Sequence, residues 1–253
     1  MCLILAAWRA HPDYPLVIAA NRDEYHARQA APAGWWPDPP MLAGRDLSAG
    51  GTWLGITRDG RFAALTNYRD PQRVMQDAPS RGGIVPQTLQ QPLPAQERLQ
   101  GLAREGRAYN GFNMIFGDRE QLAVYESVPD SGRTLQAGLY GLSNHLLDTP
   151  WPKVVTAKAA LGAALAQLPD EAPLLALLRD TTQAHDGELP RTGVSVEWER
   201  LLSSAFIRGN DYGTRCSTLI TIDRHDRARF TEWTWDATGA VAGEVHEAFQ
   251  ISS

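Results

Sequence analysis

The sequence predicts an α+β protein whose sheets are antiparallel and whose helices are segregated from them. Two observations predict it. Short apolar runs come in pairs around tight breaks, as strands of hairpins do. The segments with helical spacing fall between the early and late pairs, instead of alternating with single strands as a βαβ repeat would require. No internal repeat or low-complexity linker divides the chain, so its 253 residues read as one domain, 1–253.

The elements follow in order. Cys2 to Trp8 and Leu16 to Ala20 flank the break HPDYP and read as a first hairpin, each strand buried on both faces. Residue 2 is then the first residue of a buried strand, although chain ends are normally frayed unless docked into a sheet. Thr52 to Thr57 and Arg61 to Asn67 flank Asp59-Gly60, a strong hairpin turn signal. Asn113 to Phe116 and Gln121 to Glu126 form a third pair, and Gly138 to Ser143 is a shorter strand. Helical spacing marks Pro94 to Arg104 and Trp151 to Leu168, with Ala172 to Asp180 and Glu197 to Ala205 as shorter helices. A last hairpin joins Cys216 to Ile222 and Ala228 to Trp235. The proline-rich patch Gly34 to Pro40 and the stretch Arg81 to Pro94 read as loops, and the acidic tail after Gly239 carries no signal.

Composition narrows the class. Apolar residues are 43% and charged residues 21% of the chain, as in an ordinary globular protein. At this length roughly three quarters of the unfolded surface is buried on folding, so no disulfide or metal is required for a core. The net charge of -5 gives no electrostatic reason to expect a nucleic-acid partner. Two cysteines, Cys2 and Cys216, make neither a disulfide framework nor a metal-ligand cluster, which suits a reducing compartment. The start MCLILAAW lacks the basic n-region of a secretory signal, and no apolar run approaches the ~20 residues of a membrane-spanning helix. The expectation is a cytoplasmic protein without a membrane span. The histidines are scattered with no HExxH-like spacing, so no metal or cofactor is expected.

Met-Cys at the head, a strand, and then Asn21-Arg22-Asp23-Glu24 form a combination that continues in ordered blocks. These are Gly50-Gly51-Thr52-Trp53-Leu54-Gly55, Leu65-Thr66-Asn67, Ser80-Arg81-Gly82, Tyr109-Asn110-Gly111-Phe112-Asn113, Gly141-Leu142-Ser143-Asn144 and Tyr212-Gly213-Thr214-Arg215-Cys216-Ser217-Thr218. The series resembles the NRDE family, which is named for the tetrapeptide and includes the transport-and-Golgi-organisation proteins. That family is in turn distantly similar to the cysteine N-terminal-nucleophile (Ntn) hydrolases, such as penicillin V acylase and bile salt hydrolase. The resemblance implies a four-layer αββα sandwich of antiparallel sheets.

A cysteine at position two allows a specific chemistry. Removal of the initiator methionine is expected, because cysteine is small, and would give one residue both a thiol and a free α-amine. A free thiol with a pKa near ~8.5 is little ionised at neutral pH. An α-amine of pKa about 7.7 to 8.0 in the same residue can take the thiol proton and later return it to a leaving amine. By position alone, Cys2 is equally a small buried hydrophobe of a strand. The resemblance implies the rest of the site. Asp23 matches the aspartate that holds the nucleophile's amine; Asn67 and Asn144 match asparagines that steady the tetrahedral intermediate; Arg215 matches an arginine near the nucleophile. The acylases carry an arginine three residues before that aspartate, where this sequence has Ala20. If strand alternation holds, Asn21 and Asp23 share one face and Arg22 and Glu24 the other. Asn21, Arg22, Trp53 and His145 are the expected substrate-binding residues.

Two functions are then expected as alternatives. One is cleavage of a C–N amide bond in a small molecule through Cys2. The other is a non-catalytic carrier or chaperone on the same scaffold, because family members are linked to haem mobilisation and to lipid or acyl-CoA metabolism, which implies a hydrophobic or amphiphilic ligand.

Overall fold

The computed structural model describes residues 2–252; Met1, whose removal the sequence leads one to expect, lies outside the described residues. Two antiparallel sheets face each other. The first has the strand order β10-β1-β2-β11-β12-β13 and the second β3-β4-β5-β6-β7-β8-β9. In the first sheet β1 is Cys2–Trp8, β2 Leu16–Tyr25, β10 Gly138–Leu142, β11 Tyr212–Ile222, β12 Arg227–Trp235 and β13 Val241–Gln250. In the second, β3 is Ala30–Pro37, β4 Pro40–Asp46, β5 Leu54–Ile56, β6 Phe62–Asn67, β7 Phe112–Gly117, β8 Leu122–Glu126 and β9 Ser131–Leu135.

Strand alternation sorts the apolar residues into three cores. Ile4, Ala6 and Trp8 of β1 and Ile18 and Ala20 of β2 point between the sheets, where they meet Ile56, Phe62 and Ile115 of the second sheet. Leu3, Leu5, Val17 and Ala19 point the other way, under α3 (Pro152–Leu165) and α4 (Ala172–Leu178). Ala63, Leu65 and Met114 play the same part beneath α1 (Ile84–Gln90) and α2 (Ala95–Glu105). The result is the αββα layering expected. Because β1 and β2 are buried on both faces, they read as continuous apolar runs in the sequence. Among the described residues, no helix is long and apolar enough to cross a membrane.

Several expectations are corrected. Gly34 to Pro40 is not a loop: it closes the β3–β4 hairpin, with Trp36 paired to Met41 and its indole N–H donating to the Ala43 carbonyl at 3.0 Å. Arg81 to Pro94 contains a 3-10 turn, Arg81–Gly83, and helix α1. Strand β9 is almost wholly exposed, so it shows no buried alternation. Strand β13 is an edge strand with one face in solvent, and its weak Val245/Phe249 period is what the tail after Gly239 concealed. Helix α5 is shorter than expected, Val196–Leu201, capped by the Ser195 side chain.

Asn21 has a structural role. It is fully buried, its Nδ2 donates to the carbonyls of Leu178 (2.7 Å) and Ala205 (2.8 Å), and its Oδ1 accepts from Ser217 Oγ at 2.6 Å. It therefore clamps the helix layer to β2 and β11, on the side of β2 away from the cavity described below. Asn21→Ala leaves two buried carbonyls without donors and is expected to cost about 2–3 kcal/mol. Urea unfolding checks this, and the reactivity of Cys2 should stay as in the unaltered chain.

Candidate active site

The open ends of β1, β2, β11 and β12 form one wall of a cavity of about 400 Å³ between the sheets. Register decides what faces it. Cys2 pairs with Arg22, Arg22 with Cys216, and Cys216 with Thr234, so these four stand in one row on the inter-sheet face. One row deeper, Thr218 pairs with Glu232. A β-bulge makes this possible. The register slips between Thr214 and Cys216, so Thr214 joins Asp23 on the helix-facing side while Cys216 joins Arg22 on the cavity side.

Cys2 is 8% exposed. Burial pushes its thiol up, while Arg22 and a hydrogen bond from the Asp23 backbone N–H pull it down. Arg22 is thus the cross-strand neighbour of Cys2 on the cavity face. Arg22 Nη2 donates to Asp46 Oδ2 at 3.2 Å, and its buried Nη1 has no hydrogen-bond partner among the described residues. Arg28 Nε reaches the same Asp46 oxygen at 2.7 Å.

Asp23 lies behind Cys2. Its carboxylate is on the face opposite the thiol, and Oδ1 accepts from Thr214 Oγ1 at 2.7 Å. Burial raises its pKa; Lys153, Thr214 and Arg22 oppose the rise. The second charge there, Lys153 at the start of α3, is 5% exposed. Desolvation pulls its pKa down to about 8, with Asp23 opposing. Below them, Arg69 Nη1 and Glu199 Oε2 form an ion pair of 2.7 Å with both side chains buried.

The expected site residues therefore divide. Cys2, Arg22, Asp23, Trp53, Asn67 and Arg215 line the cavity. Asn144 does not: its Nδ2 donates to the Asn67 carbonyl at 3.0 Å, and its Oδ1 shares the single Ser143 Oγ proton with the Cys2 carbonyl, at 3.2 and 3.1 Å. It ties the ends of β1, β6 and β10 together. His145 is also off the cavity, bonded through Nδ1 to Thr149 Oγ1 at 2.9 Å and in tilted ring contact with Tyr68 and Trp151. Arg215 is the bulge residue, and its Nη1 holds the carbonyls of Tyr25 (2.9 Å), His26 (3.1 Å) and Arg28 (3.0 Å). Its guanidinium fixes the turn after β2 and, with it, Arg28.

The opposite wall comes from the glycine-rich blocks. Gly51 packs so closely on the backbone of Gly82 that any Cβ would collide with the Gly82 carbonyl, and Thr52 N donates to that same carbonyl at 3.0 Å. This contact brings Arg81 to the cavity, where its Nη1 is anchored on the Gly111 carbonyl at 2.8 Å and its charge is coupled to Cys2. In the sequence Arg81 entered only within the block Ser80-Arg81-Gly82, and Lys153, Arg69, Glu199 and Glu232 were not singled out. Only Lys153 left a signal: it sits on the apolar stripe it shares with Ala157 and Leu161 of α3. Among the described residues, no group of three or more His, Cys, Asp or Glu is placed to hold a metal ion.

Two facing antiparallel sheets between helix layers, with a cysteine heading an inner strand at the mouth of the cleft, define an Ntn-hydrolase-like fold. Among solved structures, a variant of conjugated bile acid hydrolase from Clostridium perfringens matches with a TM-score of 0.51 at 8% identity, over 98% of this chain and 92% of that one. At that identity the likeness is one of fold. The chain belongs to the Transport and Golgi organisation 2 family, whose model matches residues 1–237. It is 36% identical over 256 residues to the Transport and Golgi organization protein 2 homolog of Bos taurus. It is 35% identical over 257 residues to the homolog of Homo sapiens, and each alignment covers 92% of both chains.

Proposed function

We propose that this protein hydrolyses a C–N amide bond of a small molecule, with Cys2 as nucleophile once Met1 has been removed. The observation that carries the proposal is the register row: the Cys2 thiol faces a 400 Å³ cavity, with Arg22 as its cross-strand neighbour.

Each group then has a task. The Cys2 α-amine takes the proton from Sγ, and the thiolate attacks the amide carbon, forming a C–S bond. Transfer within one residue creates the charges as a pair, so burial opposes it less than it opposes a lone thiolate. The Asn67 amide would donate to the developing oxyanion, with Asn144 holding the end of β6. A donor of this kind lowers a barrier by about 3 kcal/mol. Collapse breaks the C–N bond, and the leaving amine takes the proton held by the α-ammonium. Water, deprotonated by the same amine, hydrolyses the thioester and restores the thiol. Asp23 holds the amine, Arg22 favours the thiolate, and Trp53 gives the substrate an apolar wall. Asn21 and His145 lie off the cavity and support its walls.

Incubation with a panel of N-acyl amides tests this directly. The expected result is amine release with an acyl mass on the Cys2 peptide that hydroxylamine removes. Neither release nor adduct across the panel would contradict it.

The alternative is a carrier of haem or an acyl or lipid ligand, favoured by the buried thiol, whose pKa desolvation raises. The two readings part in Cys2→Ala, which as a carrier retains ligand uptake and as a hydrolase loses turnover.

A further inference from the structure

Lys153 is a buried charge whose purpose neither packing nor hydrogen bonding explains. Its Nζ has no hydrogen-bond partner among the described residues, although it lies in the first turn of α3, the helix that packs on β1 and β10. A lysine buried without partners is strongly disfavoured, and such groups cluster where their charge is used. Its electrostatic neighbours come from every element around it: Asp23 on β2, Cys2 on β1, Arg69 after β6 and Glu199 on α5. Arg22 and Cys216 share the thiol's row, Arg81 acts on it from the 3-10 turn, and Tyr212 acts from the helix-facing side of β11. Arg69 is already matched by Glu199 at 2.7 Å. Among the charges that favour the Asp23 carboxylate Lys153 weighs most, with Arg22 adding to it.

This balance matters for an N-terminal nucleophile. A buried carboxylate beside the Cys2 α-amine favours the ammonium form, which cannot accept a proton, and it disfavours the thiolate. A cation behind the same carboxylate cancels both effects. We propose that Lys153 is a positioning residue of the Cys2 site: its ammonium offsets Asp23, so that Asp23 orients the amine without fixing a proton on it. The inference rests on the proposed role of Cys2 as nucleophile. Lys153 touches no substrate, and it acts only through the charges of Asp23 and Cys2.

The test is the pH dependence of Cys2 alkylation by iodoacetamide, mapped by peptide mass, in the Met1-processed chain and in Lys153→Met and Lys153→Arg. Thermal unfolding establishes that each variant is folded. Losing an opposite charge at this range moves a pKa by about one unit or more. The expected result for Lys153→Met is a midpoint raised by about one pH unit and alkylation about tenfold slower at pH 7. Lys153→Arg should stay within about twofold of the unaltered chain, because it keeps the charge. Should the methionine variant not fold, Lys153→Gln, which keeps a donor beside Asp23, is expected to show the same shift. A profile for the uncharged variant that superimposes on that of the unaltered chain overturns the role of Lys153 and leaves Cys2 as nucleophile standing. A Cys2 unreactive in the unaltered chain overturns both.

Discussion

Replacing Glu199 with glutamine is expected to destabilise the protein by about 3–5 kcal/mol, a larger effect on folding than that of Asn21→Ala. Glu199 is 4% exposed and accepts from Arg69 Nη1 at 2.7 Å through one oxygen, and from Thr192 N and Oγ1, both at 2.7 Å, through the other. The amide keeps the volume but not the charge, so the Arg69 guanidinium is left buried against a neutral group. It also replaces one acceptor by a donor that faces another donor. The damage would spread to the site, because Arg69 stacks on Trp151 at 4.7 Å, and Trp151 caps the helix that carries Lys153. Urea denaturation checks the prediction through a lowered midpoint at unchanged slope. The double change Arg69→Met with Glu199→Leu, which removes both charges, should recover much of the loss. An unchanged midpoint for Glu199→Gln would mean that the pair does not hold α5 against the loop after β6.

The largest effect on activity is expected at Cys2. Cys2→Ala should lower amide turnover by at least about a thousandfold, the scale seen when a covalent nucleophile is removed. The loss should fall on kcat, because the rest of the cavity wall, including Trp53, Arg22 and Asn67, is untouched. Truncation of a side chain this small leaves the strand intact, so unfolding should change little. Steady-state hydrolysis of the best amide from the panel gives the number. A variant that kept the rate of the unaltered chain would remove Cys2 from the chemistry.

What the sequence shows of this architecture depends on burial. Strands β1 and β2 were legible because both of their faces are apolar, and α3 was legible from its spaced alanines and leucines. Strands β9 and β13 were not, because each exposes most of its residues and no pattern of burial constrains them. The β3–β4 hairpin hid behind its prolines, which sit at the turn between Pro37 and Pro40, where no ladder hydrogen bond is required of them.

The site divides along similar lines. The face assignments of Asn21, Arg22 and Asp23 followed from alternation alone. The bulge that breaks alternation at Arg215 did not, yet it decides that Cys216 faces the cavity and Thr214 faces Asp23. Arginines cannot be assigned from spacing, because their reach exceeds that of the strand: Arg22 stands beside Cys2 and Arg215 caps a turn. Arg69 and Glu199 are 130 residues apart, and only the folded chain brings them together.

Intact-protein mass spectrometry, before and after brief treatment with iodoacetamide, tests the nucleophile most directly. The expected result is a chain lacking one methionine, with a single rapid alkylation that maps to Cys2. Cys216 should lag, because desolvation raises its thiol well above the ordinary range. A chain that retains Met1 and whose Cys2 stays unmodified would contradict the assignment, since the thiol would then have no α-amine to take its proton.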